Sequence, residues 1–235
     1  MFNKLIDSAD EAINDIVDGS SIAVGGFGLV GVPNVLITAL LRKGSKDLSI
    51  VSNNCGVDGG GLGILLEAGR IRHVTASYIG TNKEFERQYL SGLIELELTP
   101  QGTLAEKMRS GGSGIPAFYT PAGVGTFVET GQLPTQFDHA GNVLKYSEPR
   151  EVRTFDNKEY ILEESITTDF ALVRAYIADT QGNCVFRKTA RNFNPNAAMA
   201  GIITIVEAEQ IVPAGEIEPD RVHLPGIYGK RVIAL

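Results

Sequence analysis

The sequence predicts an α/β fold, with an open, mainly parallel sheet, flanking helices and antiparallel hairpin additions. Short apolar runs alternate with helical patterns in the first half of the chain, and glycine-rich turns join them. Two pairs of apolar runs flank tight turns further on. Strands that alternate with helices form parallel sheets with right-handed crossovers. With 43% hydrophobic residues in 235, we predict one domain over 1–235.

The sequence of the first half of the chain predicts four strand–helix units. A capping box at Ser8 and Glu11 indicates a first helix that ends at Gly19, and Pro33 and Gly44 mark the start and end of a second. Thr81 and Glu84 form another capping box. The predicted strands are Ser21–Val24, Leu48–Ser52, Ile71–Tyr78 and Ile94–Leu98. The remaining predicted helices are Gly61–Ala68, a helix through Leu90, and Thr103–Arg109.

The second half of the chain predicts irregular and antiparallel structure. The segment Gly111–Tyr146 is rich in Gly, Pro, Thr and Ser, which indicates a long irregular excursion. Two hairpins are predicted, one around Asp156-Asn157 and one around Gln181-Gly182-Asn183. Their strands are Arg150–Phe155 with Lys158–Leu162, and Phe170–Ile177 with Cys184–Phe186. A last strand follows at Ile202–Ala208, and we expect Pro213–Leu235 to wrap over the surface.

Charge and hydropathy exclude several partners. The chain has 21 Lys and Arg against 28 Asp and Glu, a net charge of −7, and no long basic run. Nucleic acid is therefore not an expected partner. Apolar stretches such as Val35–Leu41 are far shorter than the roughly 20 residues that span a bilayer, so no membrane partner is expected either.

Targeting and metal signals are also missing from the sequence. The first 18 residues resemble neither a signal peptide nor a transit sequence, so we expect the chain to start near Met1. Cys55 and Cys184 are isolated, which predicts no disulfide framework and fits the cytoplasm. No metal site is predicted, because the three histidines lack ligand spacing with each other or with cysteine. No Gly-x-Ser-x-Gly elbow is present.

A glycine-rich turn follows the first predicted strand. Its GxGxxG pattern, Gly26 to Gly31, matches a dinucleotide fingerprint. That fingerprint also expects an acid at the end of the next strand, where this chain has Ser52, Asn53 and Asn54. Two other interpretations remain. The glycines either only permit a sharp turn, or expose backbone N–H groups to a bulky ligand.

Several sequence blocks resemble family I CoA-transferases, specifically their A subunits. The blocks are DGSSIAVGGFGLVGVP (Asp18–Pro33), VSNNCGVD (Val51–Asp58), SYIGTNKEFERQYLSG (Ser77–Gly92), LTPQGTLAEKMRSGGSGIPAFYTPAGVGT (Leu98–Thr126), PREVRTF (Pro149–Phe155) and FRKTARNFNP (Phe186–Pro195). They occur in the family's order over nearly the whole chain. The third block is closer to succinyl-CoA:3-ketoacid transferases than to the 3-oxoadipate branch, with acetate/acetoacetate transferases as a further alternative. Departures include Gly59-Gly60-Gly61 and Ser113.

The resemblance implies a mechanism shared between two chains. In this family a glutamate of a Ser-Glu-Asn-Gly motif on the B subunit forms a glutamyl-CoA thioester, and this chain has no such motif. The resemblance therefore implies a B subunit partner in an α₂β₂ assembly. Acyl-CoA and short-chain acids are the implied substrates. No cofactor is implied, because the coenzyme A thioester is a substrate.

Gln101 is the first catalytic candidate, with Asn53 as the second. Gln101 follows a predicted strand end and carries neutral N–H donors, and it matches the family glutamine whose amide faces the thioester oxygen. Asn53 and Asn54 end the second predicted strand, at the same expected edge, where asparagine either donates to a ligand or closes an Asx-turn. The predicted substrate- and CoA-binding residues are Gly25, Gly26, Phe27, Gly28, Gly31, Asn54 and Gly102.

Two groups of charged residues are further candidates. Glu106 lies near the expected site, but on a helix it pairs naturally with Arg109, so we reject it as the nucleophile. The FRKTARNFNP block has three cations, which suit either CoA phosphates or the partner chain, and we favour the partner chain.

Overall fold

A mainly parallel sheet forms the centre of the computed structural model, which describes residues 3–235. The expected start near Met1 lies outside these residues. The strands are β1 (Ser21–Val24), β2 (Leu48–Val51), β3 (Ile71–Ala76), β4 (Glu95–Leu98), β5 (Ala117–Thr120), β6 (Pro134–Phe137), β7 (Val143–Tyr146), β8 (Val152–Phe155), β9 (Lys158–Glu164), β10 (Thr168–Asp179), β11 (Cys184–Val185), β12 (Gly201–Val212) and β13 (Gly229–Ala234).

Helices cover both faces of this sheet. They are α1 (Ala9–Ala12), α2 (Asn34–Lys43), α3 (Gly63–Glu67), α4 (Lys83–Leu90), α5 (Gln101–Gly112), α6 (Phe127–Thr130) and α7 (Asn194–Ala200), with 3₁₀ turns at Lys188–Arg191 and Pro219–Arg221. Within the described residues, no helix has both the length and the apolar character needed to cross a membrane.

The central sheet has the order β13-β12-β10-β1-β2-β3-β4, and these neighbours are all parallel. Strand β11 pairs antiparallel with β10. The predicted α/β class with a mainly parallel sheet and antiparallel additions is therefore confirmed. Because parallel strands end at the same edge, the segments after β1, β2, β3 and β4 are neighbours in space.

Side chains that alternate along the strands build two hydrophobic cores. On β1, Ile22 and Val24 join one core with Leu36 of α2, whereas Ala23 joins the other core with Leu104 of α5. All five side chains are essentially inaccessible to solvent. This alternation follows from the two-residue period of a strand. It fixes α2 and α5 on opposite faces, with their N-termini near the carboxyl edge of the sheet.

Helix bounds differ from the sequence prediction at three places. Ser8 does accept from the Glu11 amide at 3.2 Å, but α1 ends at Ala12, well before Gly19. Asn82, and not Thr81, caps α4, because its Oδ1 accepts from the Phe85 amide at 2.8 Å. Helix α5 begins two residues before Thr103, at Gln101. The first capping prediction is confirmed, and the second is wrong by one residue.

The chain from Gly111 onward is more ordered than predicted. The hairpin of β8 and β9 is confirmed, and its turn residues Asp156 and Asn157 have φ of 48° and 61°, as a tight hairpin turn requires. Within Gly111–Tyr146, β5 joins that hairpin and β6 pairs with β7, so a purely irregular excursion is wrong. Part of Pro213–Leu235 forms β13, which pairs with β12 in the central sheet and is not a surface wrap.

Candidate active site

The glycine-rich segment after β1 forms a closed reverse turn. The Phe27 amide donates to the Val30 carbonyl at 3.0 Å, and the Val30 amide donates to Phe27 at 2.9 Å. Gly26, Gly28 and Gly31 have φ of 112°, 59° and 73°, a region that favours glycine. Phe27 and Val30 are half exposed. The turn therefore exposes apolar side chains to solvent. Its glycines have a backbone conformation that is energetically unfavourable for other residues.

The glycines of this turn serve different purposes. A Cβ added at Gly25 would lie 2.0 Å from Oδ1 of Asn194, and one at Gly26 would lie 2.7 Å from Val32. A Cβ at Gly28 would meet no atom within 4 Å. Close packing against Asn194 and Val32 thus explains why positions 25 and 26 are glycine. Gly28 faces open space, as expected where a ligand approaches the backbone.

An asparagine pair connects the turn to the end of β2. Oδ1 of Asn54 accepts from the Gly28 amide at 3.0 Å and from Nδ2 of Asn53 at 3.2 Å. Oδ1 of Asn53 accepts from Nε2 of Gln101 at 2.8 Å and from Oγ of Ser77 at 2.8 Å. Asn53 and Asn54 are only 2% and 7% exposed. We call Gly28, Asn53, Asn54 and Gln101 the amide network.

Gln101 is the exposed end of the amide network. It is the first residue of α5, with Pro100 as the N-cap, so it belongs to the helix that the sequence predicted to begin only at Thr103. One N–H of its carboxamide donates to Asn53. The carboxamide has two N–H groups, so the second is available to a ligand. Gly102 beside it is exposed and has no atom within 4 Å of an added Cβ.

A second reverse turn, missed by sequence reasoning, lies beside the first. The Val57 amide donates to Gly60 at 3.2 Å, and the Gly60 amide donates back at 3.0 Å. Leu29 reaches this turn, since its Cδ2 would lie 3.4 Å from a Cβ at Gly60 and 3.5 Å from one at Gly61. The unusual Gly59-Gly60-Gly61 run is the sequence signal for this contact. The two turns together form one wall at the carboxyl edge.

Glu207 is a buried carboxylate that sequence reasoning also missed. Its Oε2 accepts from the Val35 and Leu36 amides at 2.9 Å and 3.0 Å, and its Oε1 lies 3.4 Å from Nη1 of Arg174. Pro33 offers α2 no side-chain cap, so Glu207 takes that role from β12. Burial raises the pKa of Glu207 to about 7, although Arg174 and the two amides oppose the rise.

Three candidate nucleophiles near this edge, Cys55, Glu106 and Glu207, are buried or ion-paired. Cys55 is fully buried, and burial raises the pKa of its thiol, so the reactive thiolate is disfavoured. Glu106 pairs with Arg109 at 2.6 Å, and that pairing lowers its pKa. Glu207 has no exposed surface. Asp58 of the second turn is exposed, and its Oδ1 accepts from the Glu84 amide at 3.1 Å.

The glycine turn and the end of β2 enclose almost no space between them. A cavity of about 10 Å³ lies between the glycine turn and Asn54. A cavity of about 570 Å³ lies away from the amide network, between His73 and Thr75 of the sheet and Arg150. Beside the glycine turn, a space of about 340 Å³ is lined by Leu29 and Arg187. The amide network is therefore an open surface and not a closed pocket.

The structure brings together part of the predicted site. Gly28, Asn53, Asn54 and Gln101 form one hydrogen-bonded set, with Gly102 adjacent. The other predicted residues, Gly25, Gly26, Phe27 and Gly31, belong to the same turn but do not bond to Gln101. Their roles in binding remain predictions. Of the described residues, no group of three or more His, Cys, Asp or Glu is arranged to hold a metal.

Comparison with known proteins gives concordant results. The model of the coenzyme A transferase family matches residues 6–235. The chain is 56% identical over 231 residues to the probable A subunit of the succinyl-CoA:3-ketoacid coenzyme A transferase of Mycobacterium bovis, over 98% of this chain and 93% of that one. It is 54% identical over 230 residues to the corresponding A subunit of Helicobacter pylori strain J99, over 98% and 91% of the two chains.

A solved structure with the same fold is the acyl-CoA transferase YdiF of E. coli O157:H7, in a thioester complex with CoA. The TM-score is 0.82 at 24% sequence identity, and the match covers 100% of this chain and 47% of YdiF. The chain thus spans about half the length of YdiF, and this likeness shows the fold. On the family model and the two bacterial A subunits, the chain belongs to the coenzyme A transferase family.

Proposed function

We propose that this chain is the A subunit of a 3-oxoacid CoA-transferase that moves CoA between succinyl-CoA and a 3-oxoacid such as acetoacetate. The observation that supports it most is the amide network, which offers an oriented Gln101 donor on an open edge. The names of the M. bovis and H. pylori relatives support the acid pair. The alternatives are a 3-oxoadipate CoA-transferase or an acetate/acetoacetate CoA-transferase, which perform the same type of CoA transfer on other acids.

The reaction assigned to this edge is acyl transfer through a partner carboxylate. The glutamate that the B subunit supplies adds to the thioester carbonyl, the C–S bond breaks, and CoA leaves as the thiolate. The thiolate then adds to the glutamyl carbonyl of the mixed anhydride, and the acyl group departs as its carboxylate. Gln101 donates to the oxygen that becomes negative in the first addition, with Asn53 holding its amide in place.

We assign the catalytic glutamate to a second chain because this chain lacks the motif that contains it. It has no Ser-Glu-Asn-Gly motif. Near the edge, Glu106 is ion-paired, Glu207 is buried, and Oε1 of Glu67 accepts from the Gly59 amide at 2.7 Å. The open edge suits a site completed by another surface. We therefore propose a B subunit that supplies the glutamate, in an α₂β₂ assembly.

The reaction changes no oxidation state, so it needs no redox cofactor, and CoA is itself a substrate. In this proposal the oxyanion donor is the Gln101 amide and not a metal. The dinucleotide interpretation of GxGxxG is not favoured. The end of β2 carries asparagines that bond to Gly28 and Gln101, where a ribose-binding acid would be required. A cytoplasmic location is proposed with the assembly, and two buried free cysteines are compatible with it.

The test is turnover by the separate and combined subunits. With succinyl-CoA and acetoacetate, the purified chain is expected to show no formation of acetoacetyl-CoA, measured by its absorbance. Addition of a partner that contains Ser-Glu-Asn-Gly is expected to give steady turnover and a CoA adduct on the partner, detected by intact mass. Turnover by this chain alone, or a CoA adduct on one of its glutamates, would refute the division of roles.

A further inference from the structure

Two asparagines of the FRKTARNFNP block contact the carbonyl side of the glycine turn. Nδ2 of Asn192 donates to the Val30 carbonyl at 3.0 Å and to Thr189 at 2.8 Å. Nδ2 of Asn194 donates to the Gly31 carbonyl at 2.9 Å and to Ala190 at 2.8 Å. Each asparagine therefore bridges the block and the turn with both N–H groups of one carboxamide. We call Asn192 and Asn194 the asparagine clamp.

Asn194 also anchors the turn to the central sheet. Its Oδ1 accepts from the Arg174 amide of β10 at 3.0 Å, and its side chain has no solvent exposure. It occupies the space beside Gly25 and Gly31, since added Cβ atoms there would lie 2.0 Å and 2.8 Å from its amide atoms. A buried carboxamide with all these partners satisfied cannot turn without leaving polar groups unpaired.

The opposite side of the turn is held by the amide network. There the Gly28 amide donates to Asn54, which connects through Asn53 to Gln101. The turn is thus fixed by its carbonyls on one side and by an N–H on the other. Hydrogen bonds therefore connect the turn, through Gly28 and Asn54, to Oδ1 of Asn53, the acceptor that orients the Gln101 carboxamide.

We infer that Asn192 and Asn194 are positioning residues that hold the glycine turn in the conformation from which the amide network orients Gln101. This inference rests on the proposed function, because it assigns the oriented donor to thioester chemistry. It also gives the FRKTARNFNP block a role within this chain. The asparagines of the block face the turn, while its cations Lys188 and Arg191 are exposed.

The test is a double-mutant cycle in the reconstituted complex. Asn192→Ala is expected to lower kcat about 10-fold, because small displacements of catalytic donors are costly, while KM for the acceptor acid changes less than about twofold. In a Gln101→Ala background, Asn192→Ala is expected to add less than about a twofold loss. An equal loss in both backgrounds would refute positioning through Gln101.

Asn196→Ala is the matched control. Its Nδ2 also donates to one backbone carbonyl, that of Ala105 at 3.0 Å, but it joins α7 to α5 and does not contact the turn. It is expected to change kcat less than about twofold, since no network hydrogen bond is removed. A 10-fold loss in Asn196→Ala would show that loosening α7 alone explains the effect, and the clamp would be rejected.

Amide hydrogen exchange in the full chain tests the asparagine clamp independently of enzyme activity. Asn192→Ala, and Asn194→Ala where it folds, are expected to speed exchange of the Phe27 and Val30 amides at least about 10-fold, and Asn196→Ala is not. Unchanged exchange in Asn192→Ala refutes the clamp whatever the activity. Absence of turnover by the wild-type complex, with the expected exchange, refutes the proposed function and leaves the clamp standing as a structural device.

Discussion

Replacement of Gly25 by alanine tests the packing of the glycine turn. The new Cβ would lie 2.0 Å from Oδ1, 2.7 Å from Cγ and 3.0 Å from Cα of Asn194. The Asn194 side chain makes three hydrogen bonds, to the Arg174 amide and to the Gly31 and Ala190 carbonyls. It cannot yield without losing them. At about 1 kcal/mol per net bond, with a further penalty for groups left unpaired, we expect a loss of about 3–5 kcal/mol.

Urea unfolding followed by circular dichroism measures this loss, and two other glycines provide graded controls. At Gly28 an added Cβ meets nothing within 4 Å, but φ is 59°, so Gly28→Ala is expected to cost about 1–2 kcal/mol. Gly102 is helical and equally open, so Gly102→Ala should remain within about 1 kcal/mol of wild type. The reasoning fails if Gly25→Ala is no more destabilising than Gly28→Ala.

A double-mutant cycle identifies the atom responsible. In Asn194→Ala the two atoms nearest to the new methyl group, Oδ1 and Cγ, are absent, whereas Cα, at 3.0 Å, remains. Gly25→Ala is then expected to cost less than about 1.5 kcal/mol in that background, so that the two changes couple by about 2 kcal/mol or more. Additive losses would mean that Asn194 is not the group displaced.

Two further changes test the site and its support. Gln101→Ala in the reconstituted complex is expected to lower kcat about 10²–10³-fold with the assembly intact, as removal of one oxyanion donor does elsewhere; a loss under threefold would exclude Gln101 from the mechanism. Glu207→Gln tests the buried cap of α2. The pKa of the Glu207 carboxyl is raised from 4.5 to about 7 in the folded protein. Its contribution to the free energy of unfolding is therefore fully present below about pH 4.5 and is lost as the pH rises through 7. At about 1.4 kcal/mol per pH unit, wild type should lose about 3 kcal/mol relative to Glu207→Gln between pH 4.5 and 8 in urea unfolding. A pH-independent difference would refute the raised pKa.

The local elements of the fold were predictable where a single residue type dictates the backbone. Pro33 and Gly44 bound α2 as expected, with Gly44 in the left-handed region at φ 85°. Strand β13 was not predictable, because three prolines precede its apolar residues and its partner β12 is supplied by the tertiary fold. The cap of α4 was missed because Asn82 and Thr81 are adjacent candidates, and the choice depends on a backbone angle that the sequence does not contain.

The location of the site was predictable from the sequence, but most of the hydrogen bonds that support it were not. The alternation of strands with helices put Asn53, Asn54 and Gln101 at one edge, since each follows a predicted parallel strand. Asn194 and Glu207 were missed as supports of that edge. Both lie far along the chain and reach the turn and α2 only through the central sheet. Their sequence neighbourhoods contain no pattern for such contacts, because a buried carboxamide or carboxylate is defined by its partners.

The orientation of Gln101 explains how an open edge can still contribute to catalysis. A donor stabilises a developing oxyanion best when its direction is fixed before the reaction begins. Here one N–H of Gln101 bonds to Oδ1 of Asn53, and that oxygen is itself held by Ser77 while Nδ2 of Asn53 bonds to Asn54. Because the amide is planar, fixing one N–H fixes the direction of the other. The chain therefore supplies an oriented donor without a closed cavity, and the nucleophile and the remaining walls of the site can come from the partner.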